Sequence, residues 1–249
     1  MQKTMRMQLQ QNNRALYMSK IVVGGVEKFS AVDFPGVLTA VVFMQGCPWM
    51  CPFCHNASIR SILKENDFSW DLFVDFLKSR VGKLDAVTFS GGEPLVQDGL
   101  YDAIKQVKDL GFKIGLHTGG YRPEHLAKVL PLVDWVGLDI KAPFDVDHYQ
   151  KITGVNHLKR VEQSLSLLLE SNVAFECRTT CDPRFLNSQD LLCIAKSLKE
   201  KGVKKYFLQK YRPIESDKET SDYACENIFN NNELIEYLKT NFTDFEIRR

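Results

Sequence analysis

Six short apolar runs alternate with stretches whose apolar residues fall at helical spacing, and this alternation constrains the fold more than any other feature. "GVLTAVVFM" (36–44) is rich in β-branched residues and reads as a buried strand. "SWDLFVDFLKSR" (69–80) reads as an amphipathic helix with Ser69 as its N-cap. "DAVTFSGG", "FKIGLHTGG", "VDWVGLDIKAP", "VAFECRTT" and "KKYFLQKYRP" are the further strands. "GLYDAIKQVKDLG", "PEHLAKVLP", "NHLKRVEQSLSLLLES" and "SQDLLCIAKSLKEKG" are the helices between them. Serial βα units imply parallel strands with right-handed crossovers. A closed eight-unit barrel takes ~250 residues. Six units therefore predict an α/β fold with an open, partial (β/α)6 TIM-like barrel over residues 19–213. No Pro/Ser-rich linker divides the chain. Residues 1–18 read as a disordered polar tail, with Met18 a possible start, and the polar segment 214–249 reads as a C-terminal appendage.

Each of the six strands ends in something chemically unusual: "QGC", "SGGEP", "HTGG", "DIKAP", "RTT", "QKYRP". Ligands of parallel α/β folds sit at the carboxyl ends of the strands, so the six ends describe one site. Composition removes several other readings. Thirty-two Lys+Arg balance thirty-one Asp+Glu, which gives no support to nucleic acid or an acidic membrane surface as partner. No apolar run approaches the ~20 residues of a bilayer span, and the amino terminus lacks the apolar core of a signal peptide. A cytoplasmic location is expected, with the seven cysteines reduced.

Three of those cysteines, Cys47, Cys51 and Cys54, lie within "GCPWMCPFCHN" (46–56), in a C-x3-C-x2-C spacing directly after a strand. Soft thiolates at this density select zinc or an iron–sulfur cluster. Structural zinc calls for four ligands, and adjacent Cys54 and His55 do not both reach one ion with good geometry. Three thiolates around a four-iron cube leave one iron open to a substrate. "SGGEP" (90–94) sets a carboxylate beside two glycines, where backbone approaches a ligand closely and the acid can hold an ammonium group; a tight turn with a solvated Glu93 is the plainer alternative. In "GLDIKAP" (137–143), Asp139 and Lys141 stand two apart and share one face of a strand end, suited to a ligand or to a surface ion pair.

The C-x3-C-x2-C loop with Phe53 before its last cysteine, followed by "SGGEP", resembles the radical S-adenosylmethionine superfamily. "CHN" and the upstream "FSAVDFPG" (29–36) resemble its glycyl-radical-enzyme activating enzymes, and the likeness runs from about Val23 to Pro213. The resemblance implies that Cys47, Cys51 and Cys54 hold one 4Fe–4S cluster. It implies that S-adenosyl-L-methionine binds at Gly91, Gly92, Glu93, Asp139 and Lys141, with Phe53 as a wall for the adenine. The implied reaction is reductive cleavage to a 5′-deoxyadenosyl radical that takes hydrogen from a glycine of a partner enzyme, of the anaerobic ribonucleoside-triphosphate reductase kind. A flavodoxin- or ferredoxin-type protein is the implied electron donor. Two other readings share some of these residues: a radical enzyme acting on a small molecule such as a deazapurine precursor, and a zinc-binding interaction module.

Thr118 is a weaker candidate for lining the pocket. Arg178 suits a carboxylate clamp, or a structural pair with Glu176 or Asp182. His117 stands where related activating enzymes carry an acid, and reads equally as a packed strand-end histidine. Asp33 and Pro35, before the first strand, read as a turn near the site's mouth. Cys177 and Cys181 lie four apart, but only the isolated Cys193 and Cys225 remain to complete a second cluster, so these four read as buried free thiols.

Overall fold

"TAVVFM" forms β2 (Thr39–Met44), buried along nearly its whole length because both faces of a central parallel strand are covered. In the computed structural model, which describes residues 21–62, 68–213 and 222–248, β2 belongs to an eight-stranded sheet whose strands follow sequence order. The strands are β1 (Val23–Ser30), β2, β3 (Ala86–Gly91), β4 (Lys113–Thr118), β5 (Trp135–Asp139), β6 (Ala174–Cys181), β7 (Lys205–Lys210) and β8 (Asp244–Arg248). β2, β3 and β4 pair in parallel, as do β6, β7 and β8. All six predicted strands are present. The expectations for residues 1–18, Met18 and the Cys225 side chain lie outside the described residues.

The chain divides into two compact units, one comprising 1–47, 58–117 and 124–135, the other 48–57, 118–123 and 136–249. In the first, α1 (Trp70–Lys78) packs Phe73, Val74 and Leu77 inward, and Ser69 Oγ caps it by accepting the Leu72 N–H. Burying one such leucine contributes about 2 kcal/mol. α2 (Leu100–Asp109) buries Leu100, Ala103, Ile104 and Val107, the spacing of one helical face. α3 (Pro123–Val129) follows β4.

The second unit holds α4 (Val146–Thr153), α5 (Leu158–Glu170), α6 (Ser188–Glu200), α7 (Asp222–Phe229) and α8 (Asn232–Asn241). α6 buries Leu191, Leu192, Ile194, Ala195 and Leu198. Cys193 falls between those positions and is exposed, against expectation, because the helical repeat turns it outward. Cys177 and Cys181 are buried as expected.

Three elements depart from the sequence-based reading. β1 pairs antiparallel with β2 and carries irregularities between Val23 and Gly25 and between Glu27 and Ser30. Its paired glycines hide the strand, since glycine in a strand usually marks a bulge. β8 pairs in parallel with β7, so part of the expected appendage extends the sheet. There Glu176, 3% exposed, accepts from both Nη1 and Nη2 of Arg248. α4 is the third: Asp145 Oδ1 accepts the His148 N–H at 2.8 Å, and left-handed Gly154 (φ 79°) ends the helix. Among the described residues no helix is long and apolar enough to cross a membrane.

Candidate active site

In the first unit, β2 leads through Gly46 (φ 98°) directly to Cys47. The Gly46 and Cys47 N–H groups donate to Ile59 O (2.8 Å) and Arg60 O (2.9 Å), so the cysteine loop is closed at its base by backbone bonds. Beside that base lies the end of β3, where Met44 pairs with Gly91. The Gly92 N–H donates to Met44 O (2.9 Å) and the Glu93 N–H to Gly46 O (2.8 Å). A Cβ at Gly91 (φ 110°) would strike the backbone of Phe43 and Met44, and one at Gly92 the carbonyl of Gly46. Both glycines are thus required for the backbones to meet, whatever else they touch.

Glu93 is 1% exposed, so the solvated alternative does not hold. Its Oε1 accepts the Leu95 N–H at 3.1 Å and caps a short 3-10 turn, Pro94–Val96. Gln97 went unnoticed in the sequence and is as important structurally. Its Nε2 donates to Val22 O and Gln45 O, both at 2.8 Å, while its Oε1 accepts the Val22 N–H at 2.8 Å. One buried amide thereby joins the start of β1, the end of β2 and the turn after β3. No sequence signal distinguishes it from an ordinary loop glutamine.

His117 takes the packed reading. Its Nε2 lies 2.9 Å from the carbonyl of Asp33, which only accepts, so Nε2 carries the proton. In the neutral ring Nδ1 then accepts from Ser90 Oγ at 3.3 Å. The ring also meets Trp135 edge-on at 5.4 Å. Asp33 Oδ2 accepts from Ser30 Oγ, fastening the "DFPG" segment as a turn over the ends of β3 and β4.

The second unit carries the rest of the cysteine loop and the charged strand ends. The Met50 N–H donates to Thr153 O, the carboxyl end of α4, at 2.8 Å. Trp49 is 2% exposed. Tyr121 and His157 pack on its ring, Gly119 lies beneath it with no room for a side chain, and Lys141 Nζ stands 5.2 Å from its centroid. Phe53 is buried against Phe185 at 6.4 Å, and His55 packs on Tyr211 at 6.0 Å. Thr118 Oγ1 accepts the Gly120 N–H at 2.9 Å, a turn bond.

Asp139 is gripped by two cations. Arg178 donates through Nε (3.0 Å) and Nη2 (2.8 Å) to Oδ1, and Lys141 Nζ stands 3.5 Å from Oδ2. Arg178 is therefore a carboxylate clamp whose carboxylate belongs to the protein. The two partners expected from sequence are engaged elsewhere, Glu176 with Arg248 and Asp182 with Arg184. Burial pushes the Cys51 thiol above its ordinary pKa, and the Lys141 charge pulls in the opposite direction. A ligated thiolate at Cys51 would find partial compensation in that ammonium. Burial, followed by repulsion from Arg160, lowers the pKa of His157.

Among the described residues no three His, Cys, Asp or Glu side chains gather around a point suited to one metal ion. The donor set, three soft thiols in one short loop with a lysine charge near one of them, fits an iron–sulfur cluster.

Comparison with known proteins agrees. Residues 41–181 match the family model described as the radical SAM superfamily, a stretch that contains all three cysteines and every residue named above for cofactor contact. A protein of Methanocaldococcus jannaschii, provisionally named a glycyl-radical enzyme activating enzyme, is 31% identical over 78% of this chain and 81% of its own length. The pyruvate formate-lyase-activating enzyme of Clostridium pasteurianum is 35% identical, and the match covers 53% of this chain and 57% of that enzyme. Among solved structures, native anSMEcpe with bound AdoMet superposes with TM-score 0.62 at 18% identity, over 81% of this chain and 61% of that one. A domain of pyruvate-formate lyase-activating enzyme from Bacteroides vulgatus does so with TM-score 0.51 at 17% identity, over 66% and 99%. Those two likenesses concern the fold; the sequence matches carry the family, and the chain belongs to the radical SAM superfamily, alongside glycyl-radical enzyme activating enzymes.

Proposed function

We propose that this chain activates a glycyl-radical enzyme, taking a hydrogen atom from a backbone glycine of that partner. The observation that carries the reading is the 31% identity with an activating-enzyme relative across 81% of that relative's length. A 4Fe–4S cluster and S-adenosyl-L-methionine, when bound and reduced, supply one-electron cleavage of the sulfonium S–C5′ bond and hence a carbon radical.

Cys47, Cys51 and Cys54 supply the thiolates. Lys141 offsets part of the negative charge of Cys51 and, with Asp139, offers a cation and an acceptor to the amino-acid and ribose ends of the cofactor. Arg178 fixes the orientation of Asp139 through two N–H donors to one oxygen. Gly91, Gly92 and Glu93 hold the turn after β3 at the base of the cysteine loop, where the methionine end is taken up. Phe53, packed beside Cys54 in the loop, offers its ring to the adenine. Thr118 shapes the turn after β4.

The radical acceptor is an anaerobic ribonucleoside-triphosphate reductase, and a flavodoxin- or ferredoxin-type protein delivers the electron in a reducing cytoplasm. The chain's resemblance to the activating protein of that reductase supports this choice, whereas "FSAVDFPG" and "CHN" support the wider class of activating enzymes. Anaerobically reconstituted protein should bind about four irons and cleave S-adenosyl-L-methionine on reduction, and Cys51→Ala should do neither. Stoichiometric zinc without iron-dependent absorbance refutes the reading. A glycyl-radical doublet, seen by electron paramagnetic resonance on the reductase and not on pyruvate formate-lyase, identifies the partner. The reverse pattern overturns the choice of reductase.

A further inference from the structure

The aromatic residues on either side of Cys54 each pack on a ring that lies against one guanidinium. Arg184 is pinned to Asp182, which is fully buried. Its Nε lies 3.0 Å from Oδ1 and its Nη2 2.6 Å from Oδ2, and its own backbone N–H donates to Oδ1 at 3.0 Å. The planar group so fixed lies 5.3 Å from the Phe185 ring and 5.1 Å from the Tyr211 ring. Phe185 in turn packs on Phe53, and Tyr211 on His55. Cys54 stands between Phe53 and His55 in the chain. Two routes of contact therefore run from a single ion pair, its carboxylate buried and its guanidinium partly exposed, just past the end of β6 to the two neighbours of one cysteine.

We propose that Asp182, Arg184, Phe185 and Tyr211 form a bracket that positions the Cys51–Cys54 arm before any cluster is present, so that Cys54 is presented rather than recruited. The proposal rests on the reading of the cysteines as cluster ligands, and it adds positioning residues outside the cysteine motif. Arginine is required in this role because its flat fork satisfies a carboxylate edge-on and still offers both faces to rings; an ammonium does only the first. Between Cys51 and Cys54 the arm carries no helix or strand, so side-chain packing adds to the order that the Met50 N–H bond to Thr153 O gives its start.

The test is thiol alkylation of the cluster-free protein with iodoacetamide, read cysteine by cysteine by mass spectrometry. Phe185→Leu and Tyr211→Leu keep the Asp182–Arg184 pair and each remove one route. Cys54 should then react roughly tenfold faster, the factor that one or two lost ring–cation contacts supply. Cys177 and Cys181, deep in β6, should stay protected as markers of an intact fold. An unchanged Cys54 rate in both leucine variants, with Cys177 protected, overturns the bracket. Should Cys177 also react, the fold is lost and Arg184→Lys decides: it keeps a charge for Asp182 and loses the stacking, so a parental Cys54 rate in it refutes the proposal. In reconstituted protein, the leucine variants should give a broadened signal from the reduced cluster at parental iron content. Failure of the parent chain to bind iron refutes the cluster reading alone, because the alkylation pattern is measured without metal.

Discussion

Gly92→Ala is the substitution that separates a backbone junction from an ordinary turn. The added Cβ would overlap the Gly46 carbonyl, a backbone atom that cannot swing away as a side-chain end can. The end of β3 must then move off the base of the cysteine loop, which stretches the bonds from Gly92 N to Met44 O (2.9 Å) and from Glu93 N to Gly46 O (2.8 Å). Two backbone hydrogen bonds contribute about 2 kcal/mol, and overpacking of this kind costs a further 1–3 kcal/mol, roughly. The expected loss is ~3–5 kcal/mol, a large part of a typical stability of about 5–15 kcal/mol. Gly82→Ala is the matched control: its φ is +75° and nothing lies within 4 Å of the added atom, so it reports conformational strain without collision. Strain of that sort costs about 1–2 kcal/mol. Urea unfolding of both variants gives the comparison, and iron uptake on reconstitution should fall in Gly92→Ala only. A Gly92→Ala loss no larger than that of Gly82→Ala would refute the junction.

Arg248→Ala leaves Glu176, 3% exposed, without its two guanidinium donors. Breaking a buried pair costs ~3–5 kcal/mol, and Arg248's own 30% exposure points to the lower figure. The melting temperature should fall by roughly 6–12 °C, and Glu176→Gln in the same chain should recover part of it. His157 gives a pH dependence. Its pKa in the folded state is lowered, so the unfolded chain binds the proton more readily, and stability is fully present above the ordinary histidine range and lost as pH falls through it. His157→Gln should flatten the melting-temperature profile in that window. A fall of equal size in the variant would assign the dependence to another group.

The alternation of apolar runs made strands β2–β7 legible, because buried parallel strands are apolar on both faces and the crossover helices show one apolar stripe. β1 and β8 were not legible for opposite reasons. β1 contains two adjacent glycines, whose place in a strand depends on what packs against them: Ile59 on Gly24 and Phe43 near Gly25. β8 reads "DFEIR", an edge strand with alternate polar residues, and its identity depends on the long-range pair with Glu176. The position of Cys193 was misjudged because apolar residues surround it in sequence, whereas exposure follows the 3.6-residue repeat.

The candidate site shows the same division at finer scale. Residue types announced the cysteine loop, the paired glycines and the Asp139/Lys141 pair, since few other structures call for them together. Their partners could not be read. Glu93 looked like a carboxylate awaiting an ammonium group, and one of its oxygens caps its own turn. Arg178 looked ready for a ligand or for Glu176, and it holds Asp139 instead. α4 shows why such partners have no signature in the sequence. Its sequence buries only Tyr149, Ile152 and Thr153, too few apolar positions for a periodic signal, and its presence follows from the Asp145 cap and the Gly154 stop. Yet the last carbonyl of this short helix takes the Met50 N–H, and a Cβ at Gly154 would strike Met50. The element least visible in the sequence is therefore one of those that hold the cysteine loop. A Gly154→Ala chain, strained at φ 79° and crowded against Met50, should loosen that hold while leaving all three cysteines in place.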